Sequence, residues 1–357
     1  MGIKKFWRRV SDGRELNQLW KQFQADARSS YRLYAYEVDS TRTPGVGKVK
    51  HFWKVVGQFF WAIIEKLTPG RRVLLLIAMV LLFWFGSAFW GGLLMLAVVV
   101  LEVADRVVMK RDLQIAKEIQ AWLLPANPPQ VPGLEIAFAT RAANTVAGDY
   151  YDVFPRASSS SPGGPFLIAI ADVAGKSVPA AMLMATFQAS LKTLASTASS
   201  LADLVGRMNT YACSNSQNGR RFTTTFLAEY DPASRSLIYV NAGHDAPILR
   251  RQTGAVERLQ AGGIPLGIQE NISYESGTVT LQSGDWLVIF TDGVIEAEND
   301  RTEEYGEERL LTMLHANVAL TPTMLLNTIM LDLDRFVGNA PQHDDVTLML
   351  LRVNLEA

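Results

Sequence analysis

The stretch "PFLIAIADVAGKSVPAAMLMATFQASLKTLAS" (165–196) changes period in the middle, and that change decides how the chain is read. Residues 166–171 form a short unbroken apolar run, the pattern of a buried strand. The run stops at Asp172, passes through a Gly-containing turn and resumes as a helical segment from Val178. Ser177 is the expected N-cap of that helix, with Pro179 tolerated in its first turn. A strand therefore ends on a carboxylate at the entrance to a turn.

Working outward, other acids stand in similar places. "VAGDYYDVF" (146–154) sets Asp149 and Asp152 among aromatic and aliphatic side chains, where a carboxylate is costly unless paired or bound to a metal. Asp292 ends the apolar run "WLVIFT", and Asp344 and Asp345 begin "VTLMLLRV". If this last strand runs antiparallel to the others, Asp172, Asp292 and Asp344 reach one edge of the sheet, and Asp149 can join them. Each acid taken alone is explained by a turn or a cap. Together they repel and would take up protons unless a cation lies between them. The chain holds one cysteine, Cys213, and four scattered histidines, with no zinc-type spacing. Ligation by oxygen alone selects hard cations, Mg²⁺ or Mn²⁺. Two such ions, about 3.5–4 Å apart, are the usual device for directing water at phosphorus. These residues point to metal-assisted phosphoryl hydrolysis.

Around the acids the pattern is one of strands and helices that do not alternate strictly. "TTTFLAEYDPASRSLIYVNAGH" reads as a hairpin turning at Asp231-Pro232, with Thr223, Thr224 and Thr225 as strand formers. "EERLLTMLHAN" and "TPTMLLNTIMLDLDRFVG" read as helices, the second capped by Thr321 with Pro322 at its first position. The expected class is α+β with mostly antiparallel sheet.

Residues 115–353 resemble the metal-dependent protein Ser/Thr phosphatases (the PPM family), in the bacterial subgroup typified by the sporulation stage II protein E and the stress sigma-factor regulators. The resemblance rests on "EIQAWLLP" (118–125), "AGDYYD" (147–152), "ADVAGKSVPAAM" (171–182), "NAGHDAP" (241–247), "TDGVIEA" (291–297), "YGEERL" (305–310) and "DDVTLMLLR" (344–352), in that order. It implies a two-sheet antiparallel β-sandwich flanked by helices, with a pair of Mn²⁺ or Mg²⁺ ions between the sheets. It assigns metal ligation to Asp149, Asp172, the backbone carbonyl of Val173, Asp292 and Asp344, and places Asp149, Asp172 and Asp292 in the catalytic set. Asp152 and Asp345 are expected to support the ligands, and Gly148 and Gly175 to let backbone approach the ions. Lys176 meets either substrate phosphate or only solvent, and His244 is either a general acid or a structural histidine. Ala147 and Ser177 stand where the family commonly has Gly, and Asp245-Ala246 where Asn-Pro is more usual. The implied substrate is phosphoserine or phosphothreonine on a signalling protein such as an anti-sigma-factor antagonist. A second reading is a binding module with the same fold and no chemistry. The "GGDEF" turn of diguanylate cyclases is excluded because no Glu-Phe follows Asp149.

The N-terminal third has a different character. Residues 1–72 hold 15 Lys and Arg against 6 Asp and Glu, while the remainder holds 19 against 29. A basic arm of this kind suggests a nucleic-acid or membrane-surface contact. Residues 73–101 carry no charge, which reads as transmembrane, either one long helix or a tight hairpin at Gly86-Ser87 and Gly91-Gly92. The lipid bilayer is then the expected partner and nucleic acid is not. Basic residues before the run place that flank in the cytoplasm, and the catalytic domain is expected there too. Residues 102–124 form a linker helix in which Val108, Ile115 and Trp122 recur every seven residues. The stripe either packs on the next domain or makes a homodimer. "PANPPQVPG" (125–133) marks the expected start of the phosphatase-like domain, 125–357.

Overall fold

The computed structural model describes residues 61, 64, 65, 67–83, 87–156, 164–216 and 221–354. Most of the basic arm, and residues 157–163 of the Ser-rich loop, lie outside the described residues. The chain divides into two compact units, Met1–Met109 and Lys110–Ala357.

In the second unit, two sheets face each other. One runs β1 (Leu134–Arg141), β11 (Val346–Val353), β10 (Trp286–Phe290), β6 (Ile248–Arg250), β7 (Val256–Arg258). The other runs β2 (Tyr150–Pro155), β3 (Phe166–Val173), β4 (Thr223–Asp231), β5 (Ser236–Ala242), β8 (Gly262–Gly263), and β9 (Gly277–Thr280) also pairs with β5. Every pairing is antiparallel except the short β5–β8 contact. The Asp231-Pro232 turn joins β4 to β5 as expected, with the Asp231 carboxylate accepting from the Ala233 and Ser234 amides.

The unbroken apolar runs are explained by burial on both faces. In β3, Ile168 and Ile170 point between the sheets, while Leu167, Ala169 and Ala171 point outward. In β11, Met349 and Leu351 point inward, and Leu348 and Leu350 outward. The outer face of the β3 sheet is covered by α3 (Ser177–Ala195) and α4 (Leu201–Asn215), through Met184, Leu191, Leu204 and Met208. The outer face of the β11 sheet is covered by α6 (Glu307–Ala316) and α7 (Pro322–Val337), through Leu310, Leu325 and Ile329. Thr321 caps α7 and Pro322 opens it, as expected. The short helix α5 (Asp292–Ile295) follows β10 directly. The segment 125–133 belongs to this unit, with Val131 buried in the core between the sheets.

In the first unit the apolar run is not one helix. It forms α1 (Pro69–Phe83) and the start of α2 (Ala88–Leu123). Among the described residues no helix is long and apolar enough to cross a membrane, so the transmembrane expectation for 73–101 is not borne out. At 1.5 Å per residue the 15 residues of α1 span about 22 Å and the charge-free start of α2 about 21 Å. Both fall short of a hydrocarbon core of about 30 Å.

The helix expected to be capped by Ser177 begins differently. Lys176 occupies the cap position and makes no side-chain cap bond, while Ser177 sits at φ 64°. A serine in the left-handed region is strained, and Gly175 beside it, at φ 115°, is not. Replacing Ser177 with Gly should stabilise the fold by about 1 kcal/mol. A thermal melt of the full chain that shows destabilisation would contradict this reading of the loop.

Candidate metal centre

The two sheets open at one end, and four separated segments bring acids there. Asp149 lies just before β2 and is 1% exposed. Its Oδ2 accepts from the Thr347 hydroxyl at 2.5 Å and the Thr291 hydroxyl at 3.0 Å, both belonging to the opposite sheet's strand ends. Thr291 in turn accepts from the Thr347 amide at 3.0 Å. Asp149 is thus tied across the sandwich.

Asp172, at the end of β3, stands beside this loop. A Cβ added to Gly148 would lie 3.1 Å from the Val173 carbonyl oxygen and 3.8 Å from Asp172 Oδ1. Glycine at 148 lets the Asp149 loop rest against both groups. Asp292 opens α5, and a Cβ on the following Gly293 would fall 2.0 Å from the Asp345 carbonyl oxygen. Only glycine allows that loop to meet the Asp344-Asp345 backbone.

Asp345 itself faces away from the opening. Its two oxygens accept the Ala143 amide at 2.7 Å and the Gly148 amide at 2.6 Å, so it holds the loop that carries Asp149. Asp344 Oδ1 accepts the Asp345 amide at 2.9 Å, and its Oδ2 lies 3.0 Å from Lys176 Nζ. Lys176 also donates to the His343 carbonyl at 2.6 Å. Beside Asp344 a cavity of about 210 Å³ opens, with Arg141 and Lys176 on its wall together with Glu296, Glu298 and Glu304.

The electrostatics show how closely the acids crowd. Asp149 is pushed well above the usual carboxylate range, first by burial and then by the Asp172 charge; the Thr347 hydroxyl opposes this. Asp172 is raised to about 7, by burial and then by Asp292, Asp344 and Asp345. Asp292 and Asp345 are raised as well, in each case chiefly by burial, with Asp344 adding to it. Asp245, near Asp292, is raised by burial and then by that neighbour.

Residues 162–354 match the family model described as Stage II sporulation protein E (SpoIIE). The chain belongs to the stage II sporulation protein E family. It is 30% identical over 247 residues to the phosphoserine phosphatase RsbU of Bacillus subtilis, covering 68% of this chain and 70% of that protein. It is 28% identical over 281 residues to protein IcfG of Synechocystis, covering 71% of this chain but only 43% of IcfG's length. The SiaA PP2C domain of Pseudomonas aeruginosa shares the fold with a TM-score of 0.60 at 21% identity, covering 70% of this chain and 98% of that domain. The family's PP2C-type sandwich is therefore the fold of this chain, as its motifs imply.

Against the family's pattern, most of the expected residues come together. Asp149, Asp172, Val173, Asp292 and Asp344 all border the opening, but they do so between two sheets and not along one sheet edge: β3 lies in one sheet, β10 and β11 in the other. Asp152 does not join them. Strand alternation turns it to the outer face, where its carboxylate takes the Tyr150 hydroxyl at 2.9 Å and Lys192 Nζ at 2.6 Å. His244 is buried, with Nδ1 3.1 Å from the Thr224 hydroxyl, and burial lowers it to about 4. Burial thus disfavours its imidazolium, the form that a general acid needs.

Three site residues escaped sequence reasoning. Thr291 and Thr347 bond Asp149, and their one signal is a hydroxyl in otherwise apolar strands. Gln120 of α2 is buried and clasps Ala147 at both backbone groups, donating to its carbonyl at 2.7 Å and accepting its amide at 3.0 Å. Nothing local in a helix foretells that contact.

Hard cations fit this donor set by chemistry. Asp149, Asp172 and Asp292 are each raised by burial and by neighbouring acids, a cluster that a hard cation would neutralise. As the side chains stand, no three Asp, Glu, His or Cys residues among those described close into a ready metal-holding group. Asp149 is turned to its threonines, Asp345 to backbone amides and Asp344 to Lys176.

The raised carboxyl of Asp172 predicts a pH dependence. An unfolded aspartate ionises near pH 4, whereas the folded one keeps its proton up to about pH 7. The folded state binds the extra proton in that window, so this group's contribution to stability declines as pH rises from about 4 to about 7. With a chelator present, the melting temperature of the wild type should fall more steeply from pH 5 to pH 7 than that of Asp172→Asn. Parallel curves would show that Asp172 titrates normally.

Proposed function

We propose that this chain is a divalent-cation-dependent protein serine/threonine phosphatase that removes phosphate from phosphoserine or phosphothreonine on a signalling protein. The observation that carries the proposal is the meeting of Asp149, Asp172, Asp292 and Asp344 at one opening, from four distant segments, with three of them raised by their shared burial and charge. RsbU and RsbP of Bacillus subtilis, both named phosphoserine phosphatases, support the substrate class. An anti-sigma-factor antagonist is the kind of phosphoprotein proposed.

In this reading Asp149, Asp172, Asp292 and Asp344, with the Val173 carbonyl, would hold a pair of Mn²⁺ or Mg²⁺ ions. Bound there, the ions would supply a hydroxide-like water and neutralise phosphoryl oxygens. The chain's own contribution is positional. Thr291 and Thr347 fix the Asp149 carboxylate, Asp345 and Gln120 fix the loop behind it, and Gly148 and Gly293 let backbone come close. Lys176, half exposed at the cavity, is placed to attract the phosphate of an incoming phosphopeptide. Burial disfavours the imidazolium form of His244, so no acid role is assigned to it.

The second reading is a partner-binding module with the same fold and no chemistry. Calorimetry of the full chain with Mn²⁺ separates the two, since a module that binds no Mn²⁺ cannot work as proposed. The direct test is turnover of a phosphoserine protein with Mn²⁺. Asp172→Asn should lower it by more than the roughly 100-fold that the loss of an outer-shell partner can cost. Undiminished turnover in that variant would refute the assignment.

Two broader parts of the proposal concern the flanking helix and the place of action. Val108, Ile115, Ile119 and Trp122 of α2 are exposed, Trp122 by 82%, and are proposed to pair with a second copy of the chain. The charge-free run and the basic residues before it support action at the cell membrane with the catalytic unit on the cytoplasmic side.

A further inference from the structure

The α1–α2 pair in the first unit is built as a hairpin. Arg71, at the start of α1, reaches Glu102 at 2.9 Å and Asp105 at 2.5 Å on α2. At the other end the Ser87 amide donates to the Leu81 carbonyl at 3.2 Å. The helices are therefore antiparallel and share one open, charged end. Gly91 lets them touch: a Cβ there would lie 2.6 Å from Leu82 Cγ and 2.8 Å from the Ala78 carbonyl oxygen. Small residues at such a crossing are the usual means of close helix contact where no water drives association.

The contact uses up little of the apolar surface. Ala78, Gly91 and Val98 are buried in the pair, whereas Leu76 and Val80 of α1, and Phe89, Trp90, Leu96 and Val99 of α2, are exposed by 49–75%. With Met95 and Leu93, also exposed, the α2 side chains fan over about 220° of the helix at 100° per residue. A second protein copy would cover one stripe of about 100°. A lipid phase covers every direction at once.

Length and charge select how the pair meets lipid. No charge lies between Arg72 and Glu102, so all charge gathers at the open end. Each arm is about 21–22 Å long, below the roughly 30 Å of the hydrocarbon core and equal to one leaflet with its headgroups, about 20–22 Å. Within Pro69–Phe83 and Ala88–Leu123 the helical backbone bonds to itself, as a lipid environment demands. The 15 basic residues within 1–72 would meet anionic headgroups at the open end.

We propose that the α1–α2 hairpin inserts into a single leaflet of an anionic bilayer and returns to the same face, with Arg71, Glu102 and Asp105 at the headgroups. This deepens the membrane part of the function proposed above and is independent of the phosphatase chemistry. Both flanks of the hairpin then lie on the catalytic side, without a crossing.

The test uses the full chain, with Cys213→Ser and cysteines introduced by Thr68→Cys and Lys110→Cys, reconstituted into phosphatidylglycerol–phosphatidylcholine vesicles. The chain should float with the vesicles. With a membrane-impermeant maleimide, mass spectrometry should find each molecule labelled at both sites or at neither. Molecules labelled at one site only would mean a crossing, which ends the hairpin proposal and keeps the membrane reading. A chain that fails to float and runs as a dimer ends both, because a second copy covers the face. Val80→Lys and Leu96→Lys, each at an exposed position, should lower vesicle partitioning at least tenfold. Unchanged partitioning would overturn the proposal even if the chain floats.

Discussion

The arrangement depends on a carboxylate held where water cannot neutralise it. Asp149 is fully enclosed, and the groups that hold it, Thr291 and Thr347, belong to the other sheet. Those two hydroxyls fasten the sheets together at the point where the sandwich opens. The remaining acids crowd the same opening, and each raises its neighbours' hold on protons. Such a cluster opposes folding unless positive charge joins it. That tension is the physical basis for reading the site as one made to receive cations.

The loops around the opening are shaped by the need to bring backbone close without side chains. Gly148 rests on the Val173 carbonyl and Gly293 on the Asp345 carbonyl. Behind them, Asp345 gives both oxygens to backbone amides, and Gln120 pairs with Ala147 as a strand would. The Gln120 clasp ties the end of a long helix to the loop bearing Asp149.

The first unit follows a different rule. Its helices carry no charge over the apolar run, and their close contact is set by small residues, Gly91 against Ala78, with Val98 also buried. A water-soluble pair would bury a stripe and expose polar residues on the far side. This pair exposes apolar side chains widely and confines its charges to one end. The same reasoning that makes the acid cluster costly in a dry interior makes this surface costly in water.

Much of this was legible in the residues. Apolar runs of strand length, the change to helical period after Asp172, the cap at Thr321 and the turn at Asp231-Pro232 are local matters, set by backbone preference and spacing. The ordered motifs carried the family. What only the tertiary structure decided was which groups face each other. Asp152 looks like Asp149 in sequence yet points the opposite way, because side chains in a strand alternate. Ser177 looks like a cap yet is forced to a positive φ by the turn before it. Thr291, Thr347 and Gln120 act across distances of 142, 198 and 27 residues, respectively. Even the apolar run left its path open, since hydrophobicity measures how much surface avoids water and not where a chain turns back. Local sequence sets period and propensity, while contacts between remote segments are settled only when the whole core packs.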